Sequence, residues 1–67
     1  MNVPKLRGKM AEKNVTRESL AKVLNINIAT LHRKLTGKSK FSTDEAKKIA
    51  NILELNEGEI ISIFFKD

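Results

Sequence analysis

The chain has no cysteine, no tryptophan and no tyrosine, a single proline and only three phenylalanines. Without cysteine, neither a disulfide nor a thiolate metal site can staple the fold, and thiol redox chemistry is excluded. With Phe41, Phe64 and Phe65 as the only aromatic side chains, no stacking platform for single-stranded nucleic acid or RNA bases is expected. Long apolar runs are missing too. The longest such cluster, Ile60 to Phe65, falls far short of the roughly 20 residues that span a bilayer, and Met1-Asn2-Val3-Pro4-Lys5 has no apolar leader pattern. A cytoplasmic protein without a membrane partner is the expectation. Asn14-Val15-Thr16 matches the glycosylation pattern formally, but without a secretory signal it carries no weight.

What is present is charge, unevenly placed. The net charge is +5 over 67 residues. Lys5, Arg7, Lys9, Lys13, Arg17, Lys22, Arg33, Lys34, Lys38 and Lys40 face only Glu12 and Glu18 in residues 1–40, a balance of +8. Residues 41–67 carry −3. Such polarity in a small chain suggests a cationic face for nucleic acid or anionic lipid and a neutral or acidic rear; a merely solvated basic surface is the competing reading. At this length a single domain, residues 1–67, is expected, one that buries only about 60% of its unfolded surface.

Strand signals are sparse, whereas helix start signals recur, so the chain reads as all-α with five short helices at 3–13, 16–24, 27–36, 42–54 and 56–65. Pro4 suits a first helical position, with Val3, Leu6 and Met10 on one face, and Gly8 weakens that helix by about 1 kcal/mol. Asn14-Val15 ends it. Thr16 caps a second helix with Leu20, Ala21, Val23 and Leu24 inward, and Asn25 tolerates the left-handed exit. Asn27 caps a third helix that turns Leu31 and Leu35 inward and stops at Gly37. Ser42-Thr43-Asp44-Glu45 is a capping box, Phe41 and Ala46 make a possible staple, and Ala46, Ile49 and either Ile52 or Leu53 form the buried stripe. Asn56 and Glu59 repeat the device before Ile60, Ile63 and Phe64.

The second and third helices are separated only by Asn25-Ile26-Asn27, the short angular link of a helix-turn-helix. Ala21 is small where the helices cross, Asn25 can go left-handed, and Leu20, Ile26 and Leu31 can plug the corner. On these residues the chain resembles the Cro/repressor-type helix-turn-helix family of phage and bacterial transcription regulators. The likeness runs from Val15 to Lys38 and on through "FSTDEAKKIANILELNEGEI". It is most similar to a small branch from phages of Gram-positive hosts, with an R-K-L-x-G-K exit and a terminal Ile63-Phe64-Phe65.

That resemblance implies a compact five-helix domain whose third helix enters the major groove of double-stranded DNA. Position by position, it implies base contacts from Asn27, Ile28, Ala29, Thr30 and Arg33, and phosphate contacts from Thr16, Arg17, Lys34, Lys38 and Lys40. It further implies a Cro-like or repressor-like homodimer on a pseudo-palindromic operator, with Ile60, Ile61, Phe64 and Phe65 as candidate dimer contacts. The alternative for these four is that Phe64 closes the core and the others are scattered surface hydrophobes. Three departures stand out. Ile28 and Ala29 occupy places where many relatives carry a polar reader, and periodicity leaves open whether Ile28 faces core or groove. Met10 and Leu35 replace what is often an Arg–Glu pair, and Asn25 replaces a turn glycine.

Other signals are weaker. Thr36-Gly37-Lys38-Ser39-Lys40 lacks the upstream glycine and strand of a phosphate-binding loop. His32 is the only imidazole, without a carboxylate cluster for a metal site or a general-base triad. Asp44, Glu45, Glu57 and Glu59 stand at helix starts, where capping accounts for them. No enzymatic activity, metal, cofactor or small-molecule substrate is therefore expected. A second functional class remains: a modulator that keeps the fold but binds a partner phage repressor through its apolar surface.

Overall fold

A computed structural model describes residues 1–65. Within them run α1 (Val3–Glu12), α2 (Arg17–Leu24), α3 (Ile28–Leu35), α4 (Thr43–Ile52) and α5 (Glu57–Ile60), the last continuing into a wider π-helical turn, Ile61–Phe65. Each α-helix starts on a side-chain cap. Asn2, Thr16, Asn27, Ser42 and Asn56 each accept a hydrogen bond from the backbone N–H three residues on, and the boxes Ser42–Glu45 and Asn56–Glu59 close reciprocally. The caps satisfy donors that a helix leaves open at its start.

The helices also stop alike. Asn14, Asn25, Gly37 and Glu54 all have positive φ, between 54° and 84°. After each, the next residue's N–H reaches back to the carbonyl five positions earlier: Val15 to Met10, Ile26 to Ala21, Lys38 to Arg33 and Leu55 to Ala50, at 2.8–3.0 Å. This left-handed reversal normally sends an apolar residue back against the helix it has left. Val15, Ile26 and Leu55 do so and pack on the core. The fourth exit puts Lys38 there instead, and Lys38 is exposed.

The core joins Leu6 and Met10, Leu20, Ala21 and Leu24, Leu31 and Leu35, Ile49 and Leu53, and Ile63, with no polar side chain buried among the described residues. Leu53 rather than Ile52 completes the stripe of α4. α2 packs on α3 and α4, and α1 packs on the terminal turn. The Asn2 N–H donates to the Ile63 carbonyl at 2.7 Å, and Lys5 Nζ donates to Ser62 Oγ at 2.8 Å, so the start of α1 is tied to the last turn.

Three sequence expectations are corrected. Val23 is 39% exposed, because Leu20, Ala21 and Leu24 fill the inward arc of an eight-residue helix and Val23 lies about a sixth of a turn outside it. The stretch 56–65 is not one regular helix: after Ile60 it widens, and Ile63 enters the core fully buried while Phe64 stays half-buried. At the start, Pro4 takes the second rather than the first helical position, where its missing N–H still costs no bond.

Ile63→Ala should therefore destabilise the protein by about 2–5 kcal/mol, against less than about 0.5 kcal/mol for Val23→Ala, in urea unfolding followed by circular dichroism. Equal losses would contradict this division of core and surface. Glu54 is the one left-handed position held by neither Asn nor Gly, and its ion pair with Lys13, at 3.8 Å, is exposed. Glu54→Gly is expected to raise stability by about 0.5–1 kcal/mol, since the relief of Cβ strain exceeds what such a surface pair contributes.

Candidate nucleic-acid interface

Leu31 and Leu35 are fully buried and set the rotation of α3. At about 100° per residue, the opposite side carries Ala29 and Arg33, with His32 on the flank; Ile28, three residues before Leu31 and seven before Leu35, shares their side but stands at the first helical position. Ile28, Ala29, His32 and Arg33 are all exposed and Thr30 is half-buried; Ile28, at 48% exposure, sits at the start of the helix beyond the edge of the core and is not buried in it. Asn27 Oδ1 accepts from the Thr30 N–H at 2.7 Å, which fixes the amide at the tip and leaves its NH2 as the outward group. The helix thus presents an uncharged tip followed by a guanidinium.

The loop beyond is folded back onto α3. The Arg33 carbonyl accepts from Thr36 Oγ1 at 3.0 Å, from the Lys38 N–H at 3.0 Å and from the Ser39 N–H at 3.3 Å. Lys38 and Lys40 are thereby carried beside the exit of α3, both exposed. Lys34 behaves differently. Its ammonium donates to Glu45 Oε1 at 2.9 Å and to the Lys40 carbonyl at 3.0 Å, and lies 5.6 Å from the Phe41 ring centroid. With its side chain only 14% exposed, Lys34 ties the loop to α4 and is not the free phosphate contact expected of it. The sequence placed it on the cationic stretch but could not show that Glu45, eleven residues on, would claim it.

At the other end of the pair, Thr16 Oγ1 accepts from the Ser19 N–H at 3.0 Å and lies 2.8 Å from Ser19 Oγ, so this hydroxyl is occupied by the cap. Arg17 begins α2 and is exposed. Arg7 lines the same shallow depression as Thr16 and Arg17, together with Met10 and Leu35. The apolar pair Met10–Leu35 thus stands in the core beneath it. Sequence reading passed over Arg7; the clue was its spacing of three from buried Met10, which puts it on the rim of the inward face.

Charge is sorted between the faces. Lys9 pairs with Glu12 at 3.1 Å and with Glu59, and Lys13 with Glu54. Arg7, Arg17, Lys22, Arg33, Lys38 and Lys40 have no ion pair among the described residues, nor do Lys5 on α1 and Lys47 and Lys48 on α4. No Asp or Glu occurs between Glu18 and Asp44. The acids are concentrated on the α1, α4 and α5 side, and the α2–α3 side keeps its field.

The apolar tail divides too. Phe64 meets Phe41 edge to face, with ring centroids 6.1 Å apart, and Ile60 is half-buried, whereas Ile61 and Phe65 are 53% and 67% exposed. A groove of about 470 Å³ runs beside them, lined in part by Val3, Phe41, Ala46, Phe64 and Phe65. Among the described residues no helix is long and apolar enough to cross a membrane, and no group of three or more His, Cys, Asp or Glu is placed to hold a metal ion.

Two helices joined by a tight left-handed turn, the second outward and flanked by unpaired cations, define a helix-turn-helix nucleic-acid-binding domain. The chain belongs to the Cro/C1-type HTH DNA-binding domain family, whose profile matches residues 5–66. No curated protein and no solved structure matches it.

The Glu45 carboxylate is the site's titrating hinge. Partial burial pushes its pKa up, but the Ser42 N–H and the Lys34 ammonium outweigh this and hold it below its ordinary 4.5. Glu59 is likewise lowered, first by Lys9 and then by the Asn56 N–H. For both, the stabilisation is complete above the unfolded-state value and is lost as pH falls through the folded one. Acid titration of the thermal midpoint from about pH 6 to about pH 3 should show a fall that Glu45→Gln makes shallower; an unchanged slope would remove the Lys34–Glu45 contact from the account.

Proposed function

We propose that this protein is a non-enzymatic, sequence-specific regulator of transcription of the phage or prophage type, working in the cytoplasm with α3 in the major groove of double-stranded DNA. The observation that carries the reading is the accessible N-terminal end of α3 with its outward side: Asn27, Ile28, Ala29 and Thr30 uncharged at the tip, Arg33 unpaired behind them, and Lys38 and Lys40 on the returning loop. A positive frame with a neutral tip fits a ligand whose phosphates flank its base edges. Arg33 supplies the paired donors that match guanine O6 and N7, and Arg7, Arg17, Lys38 and Lys40 supply phosphate contacts beside the α2 N-terminus at Thr16.

The operator is pseudo-palindromic and bound by two copies. The protein measures 28 × 24 × 20 Å, whereas half-sites one helical turn apart lie about 34–36 Å centre to centre, so one copy serves one half-site. Ile61 and Phe65 offer the exposed apolar surface for the contact between copies, with Ile60 and Phe64 behind them.

Footprinting on DNA flanking the gene, followed by binding titrations at several salt concentrations, tests this. Arg33→Ala should cost about 1–3 kcal/mol and relax specificity at one base pair. Lys38→Ala should weaken binding to all sequences alike and lower the salt slope by about 1. Identical behaviour of the two variants would overturn the assignment of roles. Absence of any specific footprint, with co-purification of a second repressor, would favour a protein-binding modulator.

A further inference from the structure

The tip of α3 is poor in hydrogen-bond acceptors as well as in charge. Asn27 Oδ1, the atom that would accept from an adenine N6 amino group, is turned back to the Thr30 N–H at 2.7 Å. Bidentate reading of adenine needs both ends of the amide, and only the NH2 end is outward. Ile28 and Ala29 have no side-chain polar atom, and Arg33 only donates. Cytosine is read by a carboxylate accepting from N4, and there is none from residue 19 to residue 43. What remains outward is Ile28, an exposed branched side chain, with Ala29 beside it.

Resting on the DNA-binding reading above, we infer that Ile28 and Ala29 read the C5-methyl groups of thymine, next to a guanine read by Arg33. Thymine is the one base that offers an apolar group in the major groove, and its O4 is an acceptor suited to the Asn27 NH2. The neutral tip is then a reader in its own right: it selects a methyl by burying it, and it offers cytosine's amino group no carboxylate, only the hydroxyl of half-buried Thr30. 5-Methylcytosine carries the same methyl beside an amino donor for which the tip has no carboxylate.

The test uses the intact protein and an operator selected from a random double-stranded pool. Each thymine is replaced in turn by uracil, which removes the methyl and nothing else. The expected result is a loss of about 4-fold in affinity at one or two positions in each half-site, the effect of exposing one methyl-sized group. In Ile28→Ala the same uracil substitutions should have little further effect, and Ile28→Val should keep most of the discrimination. A methylated C·G pair at a uracil-sensitive position should bind more weakly than T·A; equal binding would overturn the assignment to thymine. Specific binding indifferent to uracil at every position would overturn this inference alone. Selection of no sequence at all would overturn the DNA-reading proposal with it.

Discussion

Leu31 and Leu35, wholly withdrawn from water beneath α3, are the constraint on which the rest of the structure depends. Burying each contributes about 1.5–3 kcal/mol, more than any single cap or surface ion pair. Their burial fixes the rotation of the helix, and the rotation decides what every other residue of α3 does. Ala29 and Arg33 are sent outward, Lys34 is placed on the flank within reach of Glu45, and Ile28, on the side of the two leucines, stays exposed at the first turn. Rotation by one position would exchange these roles.

A second economy lies in the helix ends. Four reversals share one hydrogen-bond pattern, and three of them return an apolar residue to the core. The one that follows α3 returns Lys38 to the surface instead. That exchange gives up some packing at the exit and places a cation beside Arg33 on a loop held by three hydrogen bonds to a single carbonyl. Lys34 and Glu45 brace the same loop from behind. The loop is therefore built like part of the core scaffold although its outer side chains are free.

Electrostatics follow the same division. Lys9 and Lys13 are matched by Glu12 within α1, by Glu54 in the turn after α4 and by Glu59 of α5, and the Lys9–Glu59 pair joins the first helix to the last. On the α2–α3 side Arg17, Lys22, Arg33, Lys38 and Lys40 stay unpaired among the described residues, Lys34 alone being held by Glu45. Unpaired surface cations cost the fold little and draw in a polyanion, with an attraction that salt screens. On the proposed reading, these cations supply the sequence-independent share of binding, while direct readout rests on Arg33 and a few small groups.

Much of this was legible along the chain. All five helices, all of their caps except Asn2, the left-handed exits at Asn25 and Gly37, and the inward residues Leu20, Ala21, Leu24, Leu31 and Leu35 follow from local rules, because caps and periodicity depend on neighbours within about five residues. Membership of the helix-turn-helix class was equally readable, since the turn that defines it is local. What only the tertiary structure decided involves partners far apart in sequence. Whether Ile28 was core or surface depended on how far along α3 the core reached: it shares the side of Leu31 and Leu35 but stands at the first turn and is left exposed. Val23 was displaced from the core by its own neighbours once α3 and α4 had covered α2. Lys34 lost its freedom to Glu45, Arg7 joined Arg17 only when α1 folded back, and the last turn widened where Ile63 met the core and Asn2. Local chemistry set where helices begin and end; competition for a limited buried surface set which way their side chains point.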